Sequence, residues 1–143
     1  MGETRRPRPT TVPTREISPA QAGNYLRKAE SHLASAIEAL AGERWDTAAL
    51  LSVHAAISAS DAVCVARAGV RSISQTHMDQ VRLIQQLFSN DDEAKKVSNQ
   101  LAALLDRKNT VEYEARLSRR EEAEIAVKQA ERIVNWARVI RKK

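Results

Sequence analysis

The chain has 143 residues, enough for one ordinary domain and too few for two separate cores. Hydrophobic residues make up 43% and charged residues 29%, but aromatics only 3%, with four Gly and four Pro. So few rings and turn formers argue against a β-rich fold, and the abundant Ala, Leu, Glu, Arg, Lys and Gln lose little entropy in a helix. The net charge of +5 sits at the ends: residues 1–18 carry four Arg against two Glu, and residues 116–143 nine Lys or Arg against four Glu. No aromatic residues interleave with those Arg side chains, so the basic ends read as solvated surface and not as a base-stacking nucleic-acid site.

Residues 1–17 hold three of the four prolines, four Arg and four Thr, without a periodic apolar pattern. They are expected to form a disordered basic tail, with a helical domain over 18–143. Arg5-Arg6 is followed by Pro7, Arg8 and Pro9, not by the apolar stretch of an export signal. Order is expected to begin at Ser18-Pro19-Ala20-Gln21, a capping box with Pro in the first turn. The first helix then runs over about 19–41, with Ala22, Leu26, Ala29, Leu33, Ala36, Ile37 and Leu40 in one stripe and Gly42 as its left-handed exit.

Asp46 opens a second helix over about 46–68, apolar on several sides and therefore central. Its apolar run, Ala48 to Ala68, is interrupted by Ser52, His54, Ser58, Ser60, Asp61 and Arg67, which argues against a membrane span. Cys64, the only cysteine, reads as an inert core thiol between Val63 and Val65. After Gly69 come a short helix from Thr76 bearing Met78, Val81, Ile84, Leu87 and Phe88, and a fourth from about Asp91 to Tyr113. Ser118-Arg119-Arg120-Glu121 is a second capping box, opening a last helix with an Ala123, Ala126, Ala130, Ile133, Ala137, Ile140 seam. The fold class is all-α, an antiparallel bundle of about five helices.

Few residues suggest chemistry. His32, His54 and His77 fall on separate elements without zinc-ligand spacing, so no metal site is implied. No glycine-rich phosphate loop exists. His54 and Asp61 lie seven residues apart on one helix face with Ser58 between them, a secondary candidate site, although the two are too distant to pair directly and better suit a buried polar network or a helix–helix contact.

The run Asp46-Thr47-Ala48-Ala49-Leu50-Leu51-Ser52-Val53-His54-Ala55-Ala56, then Gly69, Thr76-His77, Leu104-Leu105-Asp106-Arg107 and Val111-Glu112-Tyr113 resembles the HEPN (higher eukaryotes and prokaryotes nucleotide-binding) family over about residues 19–141. The resemblance implies an antiparallel helical bundle, often a homodimer. It also implies an RNA or nucleotide ligand, or a nucleotidyltransferase or antitoxin as partner in a toxin–antitoxin or nucleotidyltransferase-associated system. The interrupted apolar run and the missing export signal give the expectation of a cytoplasmic setting away from membranes, and no cofactor is expected. The family's ribonucleases carry an Arg, usually followed by a polar residue, and a His a few positions later. Here Arg107 matches the arginine, Lys108 follows it, and Glu112 stands where the histidine would come. A glutamate is normally anionic beside a phosphate, whereas histidine exchanges a proton near neutral pH.

Three functions follow from the resemblance. The first is a non-catalytic HEPN-like dimer that binds a nucleotide, RNA or protein through Arg107, Lys108, Glu112 and Tyr113. The second is a metal-independent ribonuclease with a variant Arg107/Glu112 centre, and the third a structural helical adaptor whose basic last helix docks an acidic partner.

Overall fold

The computed structural model describes residues 12–113 and 115–142, the side chains of 109–113 excepted. Among the described residues the order is β1 (Thr14–Glu16), a 3-10 turn (Pro19–Gln21), α1 (Ala22–Ala41), α2 (Trp45–Ala68), β2 (Val70–Ser72), α3 (Met78–Leu87), α4 (Asp92–Tyr113) and α5 (Arg120–Lys142). The fold class is all-α, as the composition and periodicity imply.

The bundle is organised around α2. Its Ala48, Ala49, Val53, Ala55, Ala56, Ala59, Ala62, Val63, Cys64 and Val65 are all wholly buried. By length and hydropathy α2 is apolar enough to cross a bilayer, yet most of its apolar window is buried inside the bundle. Helices α1 and α5 flank it, and α4 and α3 close the remaining side. The expected α5 seam, Ala123, Ala126, Ala130, Ile133, Ala137 and Ile140, is buried in full. Cys64 lies among these side chains, and desolvation, with Asp61 nearby, pushes its thiol far above the ordinary range.

Local chemistry sets the helix ends, in places differently from the sequence reading. Ser18 Oγ accepts from Ala20 N at 3.3 Å, but Gln21 turns its side chain to Asn24 instead of closing the box. Gly42 keeps a φ of −85°, and Glu43 takes the left-handed conformation at φ 61°. Arg44 N donates to Ala39 O (2.9 Å) and Glu43 N to Leu40 O (3.0 Å), the Schellman pattern, which puts the left-handed residue one place beyond the glycine. Gly69 does close α2 with φ 66°. Asp46 does not cap its own helix; its carboxylate accepts from Ser118 N at 2.6 Å, tying the start of α2 to the approach to α5. The second capping box shifts by one residue accordingly, with Glu122 Oε1 accepting from Arg119 N at 2.8 Å.

The largest correction concerns the expected tail. Its last six residues, 12–17, are ordered parts of the fold. Val12 is 2% exposed and belongs to the main core cluster, and β1 pairs antiparallel with β2, Thr14 opposite Ser72 and Glu16 opposite Val70. Two three-residue strands carry too little period-2 pattern to be visible in the sequence, and a single valine carries no periodicity at all.

Two outcomes follow. Val12→Asp should lower unfolding free energy by about 2–4 kcal/mol in urea titrations followed by circular dichroism, because a carboxylate would enter an apolar site; a change near zero would return this segment to a tail. Glu43→Gly should raise stability by about 1 kcal/mol, since glycine carries no Cβ penalty in the left-handed region and the exposed Arg120–Glu43 contact at 3.7 Å contributes little.

Candidate functional site

Helix α4 places the motif residues by its periodicity. Leu101, Leu104 and Leu105 are buried, and Lys108, one turn past Leu104, continues that stripe at 8% exposure. Arg107 sits at the margin of the stripe and is half-buried. Its Nε is buried without a hydrogen-bond partner, and it makes no ion pair or hydrogen bond among the described residues. An orphaned donor of this kind costs about 1–3 kcal/mol. Glu112 and Tyr113 belong to the last turn of α4, and their side chains lie outside the described residues.

After Tyr113 the chain returns to α2 and α5 through a charged junction. Arg116 grips Glu122 with two 3.0 Å bonds. Together with the Arg119 amide, that grip lowers the Glu122 carboxyl to about 2. Arg120 lies 5.0 Å from the Trp45 ring centre.

The structure does not combine His54 and Asp61. His54 pairs with the His32 ring of α1, centroids 5.7 Å apart. Asp61, 3% exposed, accepts from Gln80 Nε2 of α3 at 2.9 Å and faces Arg71 Nη2 of β2 at 3.4 Å. Arg71 and Lys28 both lie 5.6 Å from the Tyr25 ring centre. The polar stripe is thus divided between a histidine contact and a buried carboxylate network that ties α2 to α3 and β2.

Burial raises the Asp61 carboxyl above its ordinary value, outweighing the Gln80 hydrogen bond and the Arg71 charge, which lower it. Sequence reasoning missed Arg71 and Gln80. Neither has a spacing that relates it to Asp61, and the only available signal was an aspartate on an otherwise buried helix, which needs partners.

A family model, the HEPN domain, matches residues 22–140, from the first residue of α1 into the last turn of α5. No curated protein matches the chain.

The Asp61 network yields a pH test. Its carboxyl titrates higher in the folded than in the unfolded chain, so from about pH 3.9, the unfolded value, the native state holds more protons. Its contribution to stability therefore falls as pH rises through the folded value. Asp61→Asn should remove that descent, giving a flatter stability–pH profile above pH ~4 than the wild type in urea titrations; an unchanged profile would show that Asp61 does not titrate this way.

Proposed function

The chain belongs to the HEPN domain family, and from that premise we propose that it is a non-catalytic homodimeric binding module whose anionic ligand docks at the C-terminal part of α4. The observation that carries the reading is the motif itself: Arg107 is present, half-buried and not committed to an ion pair or hydrogen bond among the described residues, and Glu112 occupies the histidine position. A guanidinium can hold a phosphate or carboxylate by its planar fork. RNA cleavage also needs a group that delivers a proton to the leaving oxygen, and a glutamate there would oppose the phosphate that Arg107 attracts. The module binds RNA or a nucleotide, or a protein such as a nucleotidyltransferase or antitoxin, within a cytoplasmic toxin–antitoxin or nucleotidyltransferase-associated system.

Dimerisation is supported by a stripe of α2 that the bundle covers only in part. Thr47 is exposed, and Leu50, Leu51, His54, Ile57 and Ser58 are only half-buried, recurring at three- and four-residue steps beside wholly buried neighbours. A second copy of the same stripe would cover this apolar surface by a two-fold contact.

Light scattering should report twice the 15.9 kDa chain mass. Leu50→Glu should give a monomer with unchanged helical circular dichroism, because the position borders solvent in the single chain. RNA incubated with the wild type should show no cleavage that depends on Arg107, and Arg107→Ala should weaken ligand binding about tenfold or more, in line with losing a charge-assisted bond of ~1.5–3 kcal/mol. A wild-type monomer, or Arg107-dependent cleavage, would overturn the proposal.

A further inference from the structure

The last turns of α5 and the first turns of α1 face each other across a cleft of about 330 Å³. Arg27 and Glu30 from α1 and Arg138, Arg141 and Lys142 from α5 line it, with Gly23 beside them. Four cations therefore share the cleft with one carboxylate. That carboxylate is committed, since Glu30 Oε2 accepts from Arg138 Nε at 2.8 Å. Arg27, Arg141 and Lys142 make no ion pair or hydrogen bond among the described residues.

Helix-end electrostatics explains part of this arrangement and not the rest. Cations in the last turn of α5 complement the negative end of its dipole. Arg27 has no such reason: it lies in the second turn of α1, beyond the reach of either helix end. Gly23 lies in the first turn of α1. An added Cβ would lie 2.9 Å from Arg141 Nη2, so a side chain there would make the flexible guanidinium shift. The glycine lets the Arg141 guanidinium lie against the first turn of α1, bringing it into the cleft with Arg27. Arg27, Arg141 and Lys142 are exposed, so water screens their repulsion, and Glu30 is the one carboxylate among the described residues that line the cleft.

We propose that this cleft is a binding site for a small phosphorylated ligand presenting two adjacent phosphoryl groups. Guanidinium forks match phosphate oxygens, the ammonium of Lys142 adds a mobile charge, and the cleft volume suits a diphosphate. The site is separate from Arg107: it joins α1 to the C-terminal turns of α5, whereas Arg107 belongs to the C-terminal half of α4.

The probe is inorganic diphosphate, read by thermal unfolding of the full chain against sulfate at matched ionic strength. At roughly ten times its Kd, diphosphate should raise the Tm of the wild type by about 5 °C. The Arg27→Gln/Arg141→Gln double variant should keep or raise the ligand-free Tm and lose that response, and Gly23→Ala, which displaces Arg141, should reduce it. Arg107→Ala should retain it, which separates this site from the one on α4. The proposal fails if diphosphate acts no better than sulfate, or if the double variant responds like the wild type. It also fails if the double variant instead loses binding of a 5′-hydroxyl RNA oligonucleotide while diphosphate is inert on the wild type, which would assign the cleft to a nucleic-acid backbone.

Discussion

The close burial of α2 is the constraint on which the other elements depend. A helix covered on most sides admits neighbours only if its side chains are short where they cross, and α2 meets this with wholly buried alanines at positions 48, 49, 55, 56, 59 and 62. Where alanine faces alanine, as Ala36 and Ala39 of α1 and Ala123 of α5 do around Ala48, helix axes can approach closely without large rings. The scarcity of aromatics is then a property of the packing and not merely of composition. Phe88 and Trp136, edge to face with centroids 5.5 Å apart, fill the wider space beside α3 and α5.

Polar groups inside this arrangement obey the same economy of space. Ser52 and Ser60 donate to the carbonyls of Ala48 and Ala56 one turn back, so two hydroxyls enter the core without partners from another helix. Asp61 cannot be satisfied within its own helix and recruits Gln80 and Arg71, which makes it a cross-link between α2, α3 and β2. At the other end of α2, Asp46 reaches a backbone amide 72 residues away. Two carboxylates thus position the segments on either side of α3 and α4 relative to one scaffold helix.

The fold was legible where side chains repeat. The α1 stripe from Ala22 to Ala36, the α5 seam, the central character of α2 and the stop at Gly69 all follow from spacing and from one glycine. The stripe's expected end does not hold: Ile37 is 42% exposed, Leu40 is half-buried, and Ala39 is buried instead. Single-residue events were not legible: Glu43 taking the left-handed position beside Gly42, the one-residue shift of the α5 cap from Ser118 to Arg119, and Val12 entering the core. Each depends on where a neighbouring segment happens to lie, which no local pattern encodes. For the candidate site, the sequence supplied Arg107 and Lys108 through a family pattern, and it set Glu112 against that pattern. It did not foresee that Lys108 would extend a leucine stripe, or that His54 and Asp61 would take different partners.

The pairing of β1 with β2 joins residues 14–16 to 70–72 across the entire α1–α2 hairpin. Loop closure over such a span is entropically expensive, and little surface is gained until α1 and α2 have already docked. The strand is therefore a latch that closes after the hairpin and opens before it. Amide exchange in β1 would report local opening instead of global unfolding, and a load applied from the amino-terminal side would have to draw Val12 out of the core before it peeled this two-stranded ribbon.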